Sequence, residues 1–300
     1  MKMIMNIIKP NKLQKGDTIG IIAPAGCVDN NEKALRAKEL FESLGYIVIF
    51  GENIFKKNRY LAGTDEEKLE DLHDFFENEK IKAIFSLRGG YGCIRLIDKI
   101  KYDLIKNNPK IFVGFSDITA LCNIFYKKCG LITYHAPMFQ TDFGCDNVSK
   151  YTLSNFLKVI TSNGEKKLKA KTVYNCGNAQ GILFGGNLAT LVSLSGIDFI
   201  PDEKFIFFAE DLNEPVYKID RMFSQLLNIQ NFRKNLAGII LGDFLKVDDK
   251  KWLEDLFKDI ANDVNVPMLG GFKITHSKNK LTIPIGEKAF IDNGILSFTY

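Results

Sequence analysis

A serine at a strand-to-helix turn, a glycine-rich loop, three histidines and a pair of strand-end acids are the residues of this chain whose types could do covalent chemistry. Ser116 stands in GFSD (114–117), between an apolar run and a helical pattern, so its hydroxyl should project from a tight corner with N–H groups of the new helix beside it. That arrangement suits acyl transfer, which needs a nucleophile and backbone donors for a developing oxyanion. The structural alternative is that Ser116 or Asp117 only caps the helix. The G-x-S-x-G elbow is absent, because Ile118 occupies its last position. The loop RGGYG (88–92) offers backbone that can approach a ligand closely and N–H groups for an anion, or else a simple tight turn. It matches neither G-x-G-x-x-G nor a P-loop, so a nucleotide cofactor gains no support.

A serine nucleophile needs a base. His73 lies among acids on the polar flank of an amphipathic helix, as a solvated residue would, whereas His135 ends the run LITYH and His276 lies in the polar loop FKITHSKN. Read from the residues alone, the choice between His135 and His276 is open. Glu210 and Asp211 close the apolar strand FIFFAED, where a carboxylate needs a hydrogen-bonding reason to be present; helix capping is the simpler account of Asp211. The six cysteines form no C-x-x-C pair and no metal-ligand spacing, so they read as thiols, and no metal is expected.

The elements that must position these groups follow from periodicity. An apolar run in GDTIGIIAPAG (16–26) predicts a strand, 31–44 a helix stopped by Gly45, and 46–50 the next strand. Thr64 and Glu67 form a capping box ahead of a helix bearing Leu69, Leu72 and Phe76. Strands at 82–87, 111–115 and LITYH, alternating with helices, argue for a parallel sheet covered on both faces. Residues 146–179 break this rhythm and read as a linker or crossover. Strands at 181–184, 205–210 and 238–244 then alternate with helices from Asn187 and at 217–227, and Asn293-Gly294 marks a type I′ hairpin. The expected fold is therefore α/β: an N-terminal parallel-sheet domain of Rossmann-like or flavodoxin-like type (1–145), and a C-terminal mixed domain with antiparallel strands (180–300).

Composition narrows the function classes. At 300 residues, 46% hydrophobic and 25% charged, the chain is long enough for two cores and excludes disordered, collagen-like and coiled-coil architectures. Forty basic against 36 acidic residues leave +4, too thin and scattered for nucleic acid but compatible with an acidic small ligand. The N-terminal apolar stretch is shorter than a signal-peptide core, and no run approaches the ~20 apolar residues of a membrane span, so a cytoplasmic protein with no membrane partner is expected.

Seven ordered segments together resemble one family, the LD-carboxypeptidases or muramoyltetrapeptide carboxypeptidases, serine peptidases of bacterial wall recycling: GDTIGIIAPAG, RYLAGTDEEKLEDL, AIFSLRGGYG, GFSDITAL, GGNLATL, FFAEDLNEPVYKIDRMFSQL and GGFKITHSKNKLTIPIG. The resemblance implies Ser116 as nucleophile, Glu210 as acid and His276 as general base, in a triad split between the two domains. It implies an oxyanion hole from the N–H groups of Asp117 and Gly90, and substrate contacts from Arg88, Gly89, Tyr91 and His135. No cofactor is implied. The implied substrate is a murein tetrapeptide cut between meso-diaminopimelate or L-lysine and D-alanine, and a homodimer is expected. One departure is visible: the family often shows His-Gly-Pro where this chain has His135-Ala136-Pro137, and the added methyl would narrow the pocket floor.

Two other readings compete. A microcin-immunity type peptidase, similar in triad and fold, would cleave a peptidyl-aminoacyl-nucleotide and stack the nucleotide on aromatic residues of an added loop. The single tryptophan, Trp252, lies instead in a segment that reads as an ordinary amphipathic helix. A non-catalytic two-lobed peptide- or sugar-binding protein would keep the glycine loop without needing Ser116, Glu210 and His276 together.

Overall fold

The computed structural model describes residues 6–300, so the N-terminal apolar stretch begins outside the described residues. The chain divides into two units. The first runs through Ser162 and takes in Thr282–Gly286, and the second comprises Asn163–Leu281 with Glu287–Tyr300.

In the first unit, β1 (Thr18–Ile22), α1 (Glu32–Ser43), β2 (Ile47–Phe50), α2 (Asp65–Glu77), β3 (Ile81–Ser86), α3 (Tyr102–Asn107), β4 (Ile111–Gly114), α4 (Thr119–Cys129) and β5 (Thr133–His135) alternate along the chain. The strands pair in parallel in the order β2-β1-β3-β4-β5. This is the flavodoxin-like order, in which functional groups gather beyond the carboxyl ends of the strands. All five residues of β1 are buried, as a strand covered on both faces requires. Helix α2 begins at the expected capping box: Glu67 N–H donates to Thr64 Oγ1, and Thr64 N–H to Glu67 Oε2. Helix α4 stops where Gly130 takes a left-handed conformation.

The segment 146–179, read as a linker, carries regular structure. Its first part is α5 (Lys150–Thr161), which buries Phe156, Val159 and Ile160 in the first unit, the Phe156 ring lying 5.2 Å from those of Phe85 and Phe143. Its second part supplies β6 (Glu165–Lys169) and β7 (Thr172–Asn175) to the other unit. Neither strand has a fully buried residue, so neither shows the apolar face by which a strand is identified in sequence.

The second unit continues with β8 (Asn178–Asn187), α6 (Leu188–Ser193), β9 (Phe205–Leu212), α7 (Val216–Leu227), α8 (Gln230–Asn235), β10 (Leu236–Leu245), α9 (Lys250–Val264) and β11 (Met268–Gly270). The chain then returns to the first unit as β12 (Ile283–Ile285), antiparallel on β5, and ends in the second with β13 (Lys288–Asp292) and β14 (Ile295–Thr299). The second sheet is mixed, ordered β6-β14-β13-β8-β9-β10-β11-β7, with parallel pairing from β8 to β11 and antiparallel strands on either side. Asn293 and Gly294, with φ of 42° and 91°, close the β13–β14 hairpin as its dipeptide demands. Among the described residues no helix is long and apolar enough to cross a membrane.

Candidate active site

The loops beyond β3 and β4 hold the nucleophile candidate. Ser116 has φ 57°, a left-handed conformation rare for a side chain with a Cβ, and opens a single 3-10 turn (Ser116–Ile118) that leads into α4. The turn is not the G-x-S-x-G form, and its packing shows how it manages: a Cβ on Gly114 would fall 2.6 Å from Ile118 Cγ2, so the bulk sits at 118 and the space at 114. No side chain caps the turn, which leaves the N-cap account of Ser116 and Asp117 without a hydrogen bond to support it. The Asp117 carboxylate reaches elsewhere. It is buried and accepts from Cys93 N–H at 2.9 Å, tying the turn to the end of the glycine loop; burial raises its pKa, and hydrogen bonds from that loop partly offset the rise.

The glycine loop lies against the serine. A Cβ on Gly89 would stand 3.0 Å from Ser116 Cβ and 3.1 Å from its Oγ, so glycine is what permits this approach. Gly90 adopts φ 121°, and Gly89 carbonyl accepts from Gly26 N–H at 3.1 Å. Among the described residues neither Asp117 N–H nor Gly90 N–H has an acceptor. Arg88, half-buried, donates from Nη1 to Cys27 carbonyl at 2.8 Å and so joins this loop to the one after β1. Tyr91 is exposed, its ring centroid 5.8 Å from that of Tyr60. His135 is buried at the end of β5, paired with Gly114 of β4, its ring 5.9 Å from Phe115. Ala136 is buried too, and its N–H donates to Gly114 carbonyl. His73 accepts from Lys101 N–H at 3.1 Å, next to the first turn of α3, and is half-buried.

In the second unit the structure brings Glu210 and His276 together. Glu210, fully buried near the end of β9, has Oε2 2.6 Å from His276 Nδ1. A carboxylate there fixes the tautomer: Nδ1–H donates to Glu210, which leaves Nε2 as the basic nitrogen. The loop bearing His276 is seated on β10, where Asp243 N–H donates to Ile274 carbonyl at 2.9 Å and a side chain at Gly242 would collide with that same oxygen. Ser277 N–H donates to the buried Thr275 Oγ1, holding the turn around the histidine.

Sequence reasoning missed Asn187. It is buried, and its Oδ1 caps α6 by accepting from Thr190 N–H while its Nδ2 donates to Asp211 at 2.9 Å and, at 3.4 Å, to Glu210 Oε1. An Asn at a helix start is visible in GGNLATL, but a cap leaves the second amide atom free for any partner, and only the fold supplies one. Asp211 turns out to serve α6, accepting from Ala189 N–H at 2.9 Å; burial pushes its pKa up to about 6. Among the described residues no cluster of three or more His, Cys, Asp or Glu is arranged to hold a metal ion.

Residues 19–136 match the model of the LD-carboxypeptidase N-terminal domain, and residues 180–291 that of the LD-carboxypeptidase C-terminal domain. The chain is 38% identical over 291 residues to the probable murein peptide carboxypeptidase of Bacillus subtilis (strain 168), covering 94% of this chain and 90% of that protein. It superposes on the crystal structure of the MccF-like protein from Bacillus anthracis str. Ames with a TM-score of 0.91 at 28% identity, over 97% of this chain and 99% of that one. The muramoyltetrapeptide carboxypeptidase from Oxalobacter formigenes gives a TM-score of 0.85 at 28% identity, over 94% and 98%.

Proposed function

This chain belongs to the LD-carboxypeptidase family, and from that premise we propose that it is a serine carboxypeptidase hydrolysing the bond between meso-diaminopimelate or L-lysine and D-alanine in murein tetrapeptides. The observation that carries the reading is the 2.6 Å bond from His276 Nδ1 to the fully buried Glu210, because an imidazole oriented by a sequestered carboxylate is what a serine nucleophile requires as its base.

On this reading Ser116 Oγ attacks the carbonyl carbon of the scissile bond as His276 Nε2 takes its proton. The role requires the imidazole to reach Ser116. The oxyanion of the tetrahedral intermediate accepts from Asp117 and Gly90 N–H groups, whose lack of an internal acceptor suits them to the task. The C–N bond breaks as His276 returns the proton to the departing D-alanine amine, leaving an ester on Ser116. Water, deprotonated by the same imidazole, then cleaves that ester. Gly89, Tyr91, Arg88 and His135 line the substrate in this account, and the protein acts on recycled wall fragments in the cytoplasm as a homodimer.

The test is mass spectrometry of products from purified muropeptides. A tetrapeptide ending in D-alanine should yield the tripeptide, while its C-terminal amide and the pentapeptide should be poor substrates, because a carboxypeptidase must bind a free carboxylate. Equal kcat/KM for acid and amide would move the assignment to the microcin-immunity type, which the similarity to an MccF-like structure keeps in play. No labelling of Ser116 by a fluorophosphonate that reacts with a control hydrolase would reduce the protein to a binder.

A further inference from the structure

Beside the glycine loop the chain projects a turn that the proposed mechanism leaves unused. Asn58 and Leu61 exchange both backbone hydrogen bonds, at 2.9 and 3.0 Å, which makes Arg59 and Tyr60 the tip of a two-residue turn. Arg59 has φ 58°, at the position where a II′ turn usually places glycine. A side chain held in that conformation is a strain the surrounding structure must overrule, and such strain gathers at functional positions. The turn is tied to the site through the loop after β1. Cys27 N–H donates to Tyr60 carbonyl at 3.2 Å, Ala62 N–H to Ala25 carbonyl at 3.1 Å, and Gly26 N–H to Gly89 carbonyl at 3.1 Å. Tyr60 and Tyr91 are 57% and 46% exposed, and their ring centroids lie 5.8 Å apart. Because Tyr91 follows Gly90, exposed aromatic surface adjoins an assigned oxyanion donor.

The charges around this surface are unbalanced. Asp29 pairs with Lys57 at 3.0 Å, and the buried Asp65 is shared by Arg95, Lys99 and Lys68 at 2.9, 3.1 and 3.2 Å. Lys68 is itself only 2% exposed. The Arg59 guanidinium lies 5.7 Å from the centroid of the Tyr60 ring and has no carboxylate partner among the described residues. A guanidinium seated on an aromatic face keeps its N–H donors for a planar anion.

The two residues that the proposed reaction accepts at the third stem position differ in that feature. The third residue supplies the carbonyl that Ser116 attacks, so its side chain leaves from the carbon next to the reacting centre. Both candidates carry a methylene stem that an aromatic face can pack. L-lysine ends in an ammonium alone, whereas meso-diaminopimelate ends in a carbon bearing an ammonium and a carboxylate. We propose that Arg59, Tyr60 and Tyr91 form the subsite for this side chain and select meso-diaminopimelate. The tyrosines pack the stem and Arg59 binds the terminal carboxylate, while the ammonium of lysine meets an unpaired cation. The inference rests on the function proposed above and decides between its two substrates.

The test compares kcat/KM for D-alanine release from three tetrapeptides, carrying meso-diaminopimelate, its side-chain amide, or L-lysine at the third position. The acid should exceed both others by at least about tenfold. Arg59→Asn keeps a residue that tolerates the left-handed backbone; it should lower kcat/KM for the acid about tenfold and bring the three peptides level. Arg59→Glu should reverse the preference toward L-lysine, whereas a merely structural role would lower all three alike. Tyr91→Ala should do just that, because the stem is common to them. Equal kcat/KM for acid and lysine peptides in the native protein, or a preference that survives Arg59→Asn, overturns the proposal. Calorimetric binding of the two tripeptides to Ser116→Ala separates this subsite from the reaction. Arg59-dependent binding of the meso-diaminopimelate tripeptide without D-alanine release by the native protein would refute the reaction and leave the subsite standing. Failure to bind either tripeptide overturns both.

Discussion

Ser116 takes its conformation from neighbours within two residues, Gly114 and Ile118, and from a loop backbone that lies against it at Gly89. Glu210 and His276 meet across 66 residues of chain, through side chains alone, and are steadied by Asn187 and by the seating of the 271–276 loop on β10. The catalytic groups assigned to the first unit are thus set chiefly by backbone geometry, and those assigned to the second by a buried side-chain network. The first kind of placement is vulnerable to added atoms, which have no space to enter. The second is vulnerable to lost atoms, because each removed partner leaves a buried polar group unsatisfied.

The largest effects should come from the reacting groups themselves, and they test whether the two units act as one catalyst. Ser116→Ala should lower kcat by roughly 10⁴-fold or more with folding intact, and His276→Ala should match it. The double variant should lose little more than either single one, since residues of one triad are strongly non-additive. Multiplicative losses would separate the two units functionally.

Next in size is an addition. Gly89→Ala should drop kcat by about 100-fold, the scale of a lost oxyanion donor, while chemical denaturation shows a loss of only about 1–2 kcal/mol. Asn187→Ala is the matching deletion: kcat should fall roughly tenfold, and stability by about 1–2 kcal/mol as α6 loses its cap. If deletion proved the more damaging to kcat, the contrast between backbone and side-chain placement would be reversed.

A further test sharpens the contrast through pH. Asp211 in the second unit has a folded pKa of about 6, above the unfolded 3.8, so its favourable contribution is complete below pH 3.8 and lost as pH rises through 6. Asp65 in the first unit behaves oppositely. Its burial is outweighed by Arg95, Lys99 and Lys68, which hold its pKa well below 3.8, so its contribution is present above that pH and lost on acidification. Urea denaturation should therefore show Asp211→Asn gaining on the native protein between pH 4 and 7, by roughly 1.4 kcal/mol for each pH unit of displacement, while Asp65→Asn loses most at neutral pH. Parallel trends for the two variants would refute the electrostatic difference between the units.

Much of this molecule was legible in its sequence because the deciding interactions are local. The Thr64–Glu67 capping box, the stop at Gly130 and the Asn293-Gly294 hairpin depend on bonds or dihedrals within three or four residues, and alternating strand and helix patterns sufficed for the parallel sheet of the first unit. Ser116 at a strand-to-helix corner was visible for the same reason. Tertiary structure alone decided what depends on distant partners: that 146–179 carries a helix and two strands, that β12 returns to the sheet of the first unit, and that Asn187 reaches both acids. It also decided the surroundings of the histidines. The residues left His135 and His276 open as bases, and only folding sets His276 on Glu210 and encloses His135 beside Phe115. Lys68 is the extreme case, since three residues after an aspartate on a polar helix it has the pattern of a solvated lysine. Burial is a property of what packs over a residue, and for Lys68 the covering loop lies more than twenty residues further along the chain.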